Sequence, residues 1–213
     1  LAQEPFENFI ENLKRELTPV LEENKLTFDE LEVGVGCPNY SSIQNKLINP
    51  PNLNWKDVSM LSKLHAIFKR VIIENDANAA AIGEHRWGKA KGCMSFATIT
   101  VGTGIGSGIF VKGSLLRGHH GLAGEAGHIV IESDGRTCGC GGSGHFESYC
   151  SVTGIKKTFL ELTGMDKTYR EIVPLYEQGD LDALTVFETT ADYFAIGISQ
   201  MVTLLGLEKI CLL

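Results

Sequence analysis

The chain has 213 residues, of which 43% are hydrophobic and 21% are charged, and its formal net charge is −7. This composition is ordinary for a globular protein, and the length allows one large domain or two small ones. Phosphate contacts need clustered Lys and Arg, and the sequence has no such cluster, which argues against nucleic acid as a partner of this portion. Small molecules are therefore the expected partners.

The cysteines and the apolar segments indicate the cellular compartment that the sequence predicts. Four of the six cysteines stand singly among apolar or small neighbours, as buried free thiols do: Cys37, Cys93, Cys150 and Cys211. This usage predicts a reducing, cytoplasmic environment. The longest apolar segment, residues 195–207, is interrupted by polar residues and glycine, so no membrane span is predicted.

The first third of the chain predicts helices and strands in alternation. Apolar residues at helical spacing predict an amphipathic helix over residues 4–22, and a short apolar run predicts a buried strand over 31–36. Two successive prolines predict a loop over 49–55. A helix over 60–69 and a buried strand over 71–74 follow. This alternation predicts an α/β architecture with mainly parallel central strands.

Asn75 and Asp76 stand between that last strand and an alanine-rich helix, predicted over 77–87 and ended by Gly88. Either side chain could simply cap the helix, because Asn and Asp accept hydrogen bonds from the first free amides. Alternatively, Asp76 is a functional carboxylate at the carboxyl end of a strand, where open α/β sheets bind ligands. The local sequence leaves both interpretations open.

Residues 95–113 predict two strands joined by a turn that contains Gly102, Gly104, Gly106 and Gly108. The segment is not a Walker loop, because the Gly-Lys-Ser/Thr ending is absent, and it is not a dinucleotide fingerprint, because a strand follows it. Glycine lets the backbone approach a ligand closely and aim amides at phosphate oxygens. Four glycines beside two threonines favour a phosphate cradle over a plain tight hairpin.

The segment 124–147 combines carboxylates, histidines and a Cys-x-Cys pair among glycines. Zinc binds thiolate sulfur and imidazole nitrogen in a tetrahedral shell, and four side chains could form one: His128, Cys138, Cys140 and His145. The cysteines could instead be small core residues or a redox pair, although their spacing is too short for an ordinary disulfide. Four protein ligands leave no position for a reacting water, so the predicted zinc is structural.

Two carboxylates of the same segment, Glu125 and Glu147, then remain for a ligand, together with the free side of His128. The rest of the chain returns to helices, because apolar residues recur at three- and four-residue spacing. These helices are predicted over residues 152–162, 169–178 and 181–205. They should pack against a sheet.

In its motifs and their order, the sequence resembles the ROK family, which comprises bacterial sugar kinases, glucokinases among them, and related sugar-responsive repressors. The motifs are Glu74–Ala80, Thr100–Gly108, Gly124–His128, and Cys138–Gly141 with Gly144 and Glu147. The resemblance extends from about Gly34 to the last residue. It implies an α/β chain with the actin-like ATPase (ribonuclease H-like) fold, two lobes around a cleft, with hexose at the bottom and ATP above.

The resemblance also implies a division into lobes. It assigns residues 1–74 to the N-terminal lobe and residues 75–213 to the C-terminal lobe with its zinc-binding loop. Kinases of this type carry a first phosphate loop, Asp-x-Gly-Gly-Thr, and a later glycine-rich adenosine loop, and the sequence contains neither. We therefore expect an internal portion of a longer protein, with an incomplete N-terminal lobe and little turnover by itself.

The resemblance implies a role for each matching residue. Asp76 would be the catalytic base. The hexose would contact Asn75, Asp76, Glu125, His128 and Glu147, and the phosphates of ATP would contact Gly102, Thr103 and Gly104. Zinc would be held by His128, Cys138, Cys140 and His145. The last of these is commonly a third cysteine in the family; because histidine also binds zinc, we expect the metal to be retained with altered affinity.

The activity implied by the resemblance is ATP-dependent phosphorylation of a hexose by a homodimer. Magnesium is expected with ATP, because an acidic lobe would repel the bare nucleotide. The alternative is a non-enzymatic sensor, a sugar-responsive repressor in which the hexose pocket controls a separate DNA-binding domain. An upstream Asp-x-Gly-Gly-Thr would favour the kinase, and an upstream helix-turn-helix would favour the repressor.

Overall fold

The structure is a computed structural model that describes residues 4–48, 55 and 58–213. The described chain divides into two compact units. The first holds the described residues up to Ala79 together with Arg117–Ala123, and the second holds Ala80–Leu116 and Gly124–Leu213. The lobes implied by the sequence, residues 1–74 and 75–213, stay a prediction.

The first unit is built from two helices and two small sheets. Its elements are α1 (Phe6–Asn24), β1 (Glu32–Gly36), β2 (Tyr40–Ser41), β3 (Lys46–Leu47), α2 (Met60–His65) and β4 (Arg70–Glu74). β1 pairs with β4 in parallel, with Gly36 opposite Glu74, and β2 pairs with β3 in antiparallel fashion. The two parallel strands therefore end side by side.

The amphipathic helix α1 closes the core of this unit. Its buried Phe6 lies 5.1 Å from the ring of Trp55 in an edge-on contact, and Trp55 Nε1 donates to Glu4 O at 2.8 Å. Lys25 ends the helix in the left-handed conformation, and its amide returns to the last turn. The apolar face predicted for residues 4–22 is thus the face that packs.

The helix α3 (Asp76–Arg86) leads into the second unit, whose strands form one four-stranded sheet. The strands are β5 (Phe96–Val101), β6 (Ile105–Val111), β7 (Ser114–Leu115) and β8 (Lys209–Leu212), in the order β7-β6-β5-β8. The helices are α4 (Glu147–Cys150), α5 (Val152–Thr163), α6 (Tyr169–Glu177) and α7 (Leu181–Leu205). A short 3-10 helix, Ala126–His128, precedes the cysteine loop.

Besides a cluster around the buried Phe96 and Phe110, two apolar clusters hold the second unit together. One joins the sheet to α4 and α7 through Ile99, Phe146 and Met201, all buried. Gly197 of α7 lets the helix pack closely on this cluster, because a Cβ added there would lie 2.9 Å from the Phe146 ring. The helices α5, α6 and α7 pack on one another in a second cluster that includes the buried Ile172.

Several expectations needed correction. The strands of the first unit from which a parallel arrangement was predicted, β1 and β4, are parallel, whereas the sheet of the second unit is mixed, because only β5 and β8 run in parallel there. The turn in the glycine-rich hairpin is shorter than expected, since Gly106 and Gly108 lie within β6. The second helix ends at His65 instead of reaching residue 69, because the chain turns there before β4.

Most of the loop predicted over residues 49–55 lies outside the described residues. Within the described part of the chain, none of the helices combines the length and hydropathy required to cross a bilayer.

Candidate functional site

The first part of the candidate site lies where β4 ends and α3 begins. Asn75 Oδ1 accepts a hydrogen bond from the Asn78 amide at 3.1 Å, so Asn75 caps α3. Asp76 is the first residue of the helix, and its Oδ1 accepts from the Ala77 amide at 2.9 Å. The other carboxylate oxygen accepts no hydrogen bond from the described residues, and Asp76 is exposed. Because Asn75 provides the cap, the Asp76 carboxylate keeps one oxygen for a ligand.

Asp76 also lies beside the carboxyl end of β1. A Cβ added to Gly36, the last residue of that strand, would lie 3.5 Å from Asp76 Cα. Burial raises the pKa of the neighbouring Cys37 thiol to about 11, and the negative charge of Asp76 adds to the shift. The carboxylate therefore stands at the edge where the two parallel strands end, which is the ligand-binding edge of α/β sheets.

An ion pair with a buried carboxylate fixes the end of β4. Glu74 pairs with Arg117, whose Nη1 also donates to Ser42 Oγ at 2.6 Å. Glu74 Oε1 accepts from the Asn75 amide at 2.9 Å and from Asn78 Nδ2 at 3.4 Å. Removing Arg117 would leave the buried Glu74 charge without its ion-pair partner. The network therefore holds the backbone at the start of α3 in one conformation.

The predicted phosphate-binding residues form a three-residue turn between β5 and β6. Gly102 N donates to Gly104 O at 3.0 Å, whereas the amides of Thr103 and Gly104 have no acceptor among the described residues. Val152 N donates to Gly102 O at 2.9 Å, and Thr153 Oγ1 donates to Thr103 O at 2.8 Å. The turn is thus anchored to the start of α5, with two amides available to an anion.

The four predicted zinc ligands lie together. One donor atom from each of His128, Cys138, Cys140 and His145 lies within 4.8 Å of the other three. Cys138 Sγ is 3.8 Å from His128 Nδ1, and Cys140 Sγ is 3.2 Å from His145 Nδ1. A backbone bridge between Val130 and His145 brings the two histidine-bearing segments side by side. The chain therefore contains a His/Cys group that could hold a metal ion.

The donor set fits a tetrahedral ion. Zinc bonds of about 2.3 Å to sulfur and about 2.0 Å to nitrogen separate neighbouring donor atoms by roughly 3.3 to 3.8 Å. The two sulfur–nitrogen separations are close to that range. Burial raises the pKa of the Cys138 thiol to about 11, and the neighbouring Glu147 also raises it. A cation would reverse this shift, because a coordinating thiol is deprotonated.

The carboxylates of the same segment adjoin the His/Cys group. Glu147 Oε1 is 2.9 Å from Cys138 Sγ and 3.9 Å from His128 Nδ1, and its Oε2 accepts from the Ile105 amide at 3.3 Å. Glu125 is exposed and directly precedes the 3-10 helix that ends at His128. The Nδ1 side of His128 faces the sulfur atom, so Nε2 is on the opposite side of the ring.

Arg136 anchors the cysteine loop to the helices beside it. Its Nη1 donates to the carbonyl oxygens of Ser148 at 3.1 Å and Gly154 at 3.3 Å, and its Nη2 donates to Thr158 Oγ1 at 3.0 Å. The guanidinium carbon lies 4.6 Å from the centre of the Tyr149 ring. The side chain is only 15% exposed. One guanidinium therefore ties the loop to α4 and α5.

The structure brings five of the eleven predicted site residues together within the second unit: His128, Cys138, Cys140, His145 and Glu147. Asn75 and Asp76 belong to the first unit. Sequence reasoning missed Glu74, Arg117 and Arg136, which support the predicted residues. Their sequence signals are weak, because each is a single charged residue directly before a motif or within a glycine-rich stretch.

Comparisons with known proteins agree with this architecture. A profile of the ROK family matches residues 2–213. A glucokinase of Streptomyces coelicolor is 43% identical over 121 residues, which are 56% of this chain and 38% of that protein. A glucokinase of Halalkalibacterium halodurans is 34% identical over 204 residues, 88% of this chain and 62% of that protein. The xylose repressor of Bacillus subtilis is 30% identical over 181 residues, 84% of this chain and 47% of that protein.

Solved structures show the same fold. A ROK hexokinase from Thermus thermophilus matches with a TM-score of 0.80 at 28% identity, covering 97% of this chain and 68% of that one. A ROK family glucokinase from Streptomyces griseus, in complex with glucose and AMPPNP, matches with a TM-score of 0.77 at 26% identity, covering 97% and 71%.

These matches confirm the predicted α/β fold of the actin-like type. The chain spans less than two thirds of the length of each of the three sequence relatives. Because the family profile covers residues 2–213, the chain belongs to the ROK family.

Proposed function

We propose that the protein of which this chain is a part phosphorylates a hexose with ATP, and that Asp76 is the general base. The observation that carries the proposal is the division of work at the start of α3, where Asn75 caps the helix and Asp76 keeps an exposed carboxylate oxygen. The relatedness to glucokinases supports the substrate class.

The chemistry follows from the residue type. A sugar hydroxyl is a poor nucleophile at neutral pH, so a carboxylate within hydrogen-bond distance takes its proton as the oxygen attacks the γ-phosphorus. The bond between that phosphorus and the β,γ-bridging oxygen breaks, and ADP leaves. The proton on Asp76 then passes to solvent. General-base assistance of this kind contributes about 10²- to 10⁴-fold.

The sugar would be held by hydrogen bonds to Asn75, Glu125, His128 and Glu147. Each carboxylate can accept from two hydroxyls, which suits a polyhydroxylated ring. Zinc at the His/Cys group would brace the loop and fix the His128 tautomer, so that Nε2–H donates to a sugar oxygen. The hydrogen bond from the Ile105 amide holds Glu147 next to the same group.

The anchored turn at Gly102–Gly104 would bind the phosphate chain of ATP, with magnesium as the accompanying cation. Two amides at the tip of the turn have no acceptor among the described residues, which supports this assignment. The homodimer expected from the sequence stays a prediction.

A second candidate function is a sugar-responsive regulator without kinase activity. One observation favours it: the similarity to the xylose repressor extends over 84% of this chain. Such a protein would use the same hexose site to shift a conformational equilibrium rather than to transfer phosphate.

A direct assay separates the two functions. The full-length protein is titrated with glucose, fructose, mannose and N-acetylated hexosamines in a calorimeter, and the hexose that binds is then incubated with Mg²⁺ and γ-labelled ATP. Transfer of label to the sugar supports the kinase. Sugar binding without any transfer supports the regulator and refutes the kinase.

A further inference from the structure

A cavity lies beside the glycine turn, and all its lining residues belong to the second unit. It has a volume of about 270 Å³ and extends from Cys138 and Glu147 to the first turns of α5. Its polar walls consist mainly of hydroxyl groups and one ammonium group, from Thr103, Thr137, Ser148, Ser151, Thr153 and Lys157. The turn proposed to bind phosphate therefore opens onto a cavity whose one cation among the lining residues is Lys157.

Several of these polar groups have no internal partner. The hydroxyls of Thr103, Thr137 and Ser148 make no hydrogen bond to the described residues, and Lys157 makes neither an ion pair nor a hydrogen bond to them. The adjacent Lys156 differs, because its Nζ is 2.9 Å from Asp166 Oδ1. Lys156 is thus paired, whereas Lys157, which is exposed, lines the cavity without a partner among the described residues.

The position of Lys157 follows from helix geometry. Lys157 is four residues after Thr153, so the two side chains lie on the same face of α5. Thr153 is the residue whose hydroxyl donates to Thr103 O at 2.8 Å. The face of α5 that carries Lys157 is therefore the face that contacts the glycine turn.

The charge distribution sets the orientation of an anion in this cavity. Glu147 also lines the cavity, next to Gly104 of the turn, and each of its oxygens accepts one hydrogen bond, from the Cys138 thiol and from the Ile105 amide. A phosphate group is repelled by that carboxylate and attracted by an ammonium point charge. Among the lining groups, the Lys157 ammonium and the hydroxyls without an internal partner are therefore the ones that suit a polyphosphate chain.

We propose that Lys157 binds the polyphosphate chain of the phosphoryl donor, together with the amides of Thr103 and Gly104. This inference rests on the proposed kinase function and adds a cation that the known motifs of the chain do not supply. Lys157 is a binding residue for the donor, and the hexose does not contact it.

The test uses the full-length protein and three variants: Lys157→Ala, Lys157→Arg, and Lys156→Ala as the matched control. Calorimetry measures the Kd of Mg·ATP, Mg·tripolyphosphate, adenosine and the hexose. Loss of one charge-assisted contact should weaken ATP and tripolyphosphate by about ten- to a hundredfold in Lys157→Ala. Adenosine and hexose should bind as to the wild type, Lys157→Arg should restore most of the affinity, and Lys156→Ala should change it less than twofold.

Four results would overturn the proposal. Unchanged ATP and tripolyphosphate affinity in Lys157→Ala would remove the residue from the donor site, even if the wild type phosphorylates sugar normally. Equal losses of ATP and tripolyphosphate affinity in Lys156→Ala and Lys157→Ala would show that the effect comes from general surface charge. Weaker adenosine binding in Lys157→Ala would place the residue at the nucleoside instead. Failure of the wild type to bind either polyphosphate would refute the proposed function as well.

Discussion

Removing the Arg136 guanidinium should destabilise the second unit strongly. In Arg136→Ala, the carbonyl oxygens of Ser148 and Gly154 lose a charged donor, and the Tyr149 ring loses its cation. A hydrogen bond to a charged group contributes about 1.5–3 kcal/mol, and a cation–π contact about 1 kcal/mol. The ion pair with Glu161 adds little, because that carboxylate is 59% exposed. The expected loss is about 4 kcal/mol.

Thermal unfolding followed by circular dichroism measures this loss. For a protein of this size, 1 kcal/mol corresponds to roughly 2–4 °C, so Arg136→Ala should lower the Tm of the second unit by about 10 °C. Arg136→Lys should recover less than half of the loss, because an ammonium cannot donate in several fixed directions at once. Arg170→Ala is the control, since Arg170 is exposed and makes no ion pair with the described residues. A Tm within 2 °C of the wild type for Arg136→Ala would refute the anchoring role.

Three further predictions concern the same unit. In Gly104→Ala the new Cβ would lie 2.5 Å from Glu147 Oε2, so the carboxylate must move, and calorimetry should show at least tenfold weaker hexose binding. Gly83→Ala is the control and should bind hexose normally, because a Cβ there meets open space. Mass spectrometry should find about one zinc ion per chain in the wild type and in the control His119→Ala, but much less zinc in His145→Ala. Equal zinc content in all three proteins would exclude His145 as a ligand. Burial raises the pKa of Cys150 from 9.0 to about 12, so the folded state favours the neutral thiol. The stability that this preference contributes is complete below pH 9 and is lost as the pH rises toward 12. The free energy of unfolding, measured by urea titration, should therefore fall more steeply above pH 9 in the wild type than in Cys150→Ala. Parallel pH profiles of the two proteins would contradict the raised pKa of Cys150.

The sequence was most informative where chemistry and spacing are local. Cys138, Cys140 and His145 fall within eight consecutive positions, so a tight loop necessarily brings them together, and the structure adds His128 to the group. The helix α7 was predicted over Leu181–Leu205 and has those bounds, because long apolar periodicity is a strong signal.

The sequence was least informative where the outcome depends on distant contacts. Leu64 and Phe68 have helical spacing and predict a longer helix, but α2 ends one residue after Leu64, and Phe68 is buried in the turn that leads into β4. Gly106 and Gly108 resemble turn residues, yet pairing with β5 includes them in a strand. The partners of Arg136 lie 12 to 25 positions away in sequence, so no local pattern could reveal its role.

For Asn75 and Asp76, the local sequence leaves open which residue caps α3, and the structure decides. Both residue types cap helices, so the sequence could not say which one does so. The structure assigns the cap to Asn75 through its hydrogen bond with the Asn78 amide. That single contact distinguishes a capping residue from an available carboxylate.

The most direct measurement compares the full-length wild type with Asp76→Asn, with Asp29→Asn as an exposed control in the same unit. Hexose Kd is measured by calorimetry, and phosphoryl transfer is measured at saturating hexose and Mg·ATP. The account predicts that Asp76→Asn binds hexose within a few-fold of the wild type while kcat falls by about 10²- to 10⁴-fold. A kcat equal to that of the wild type and of Asp29→Asn would contradict it.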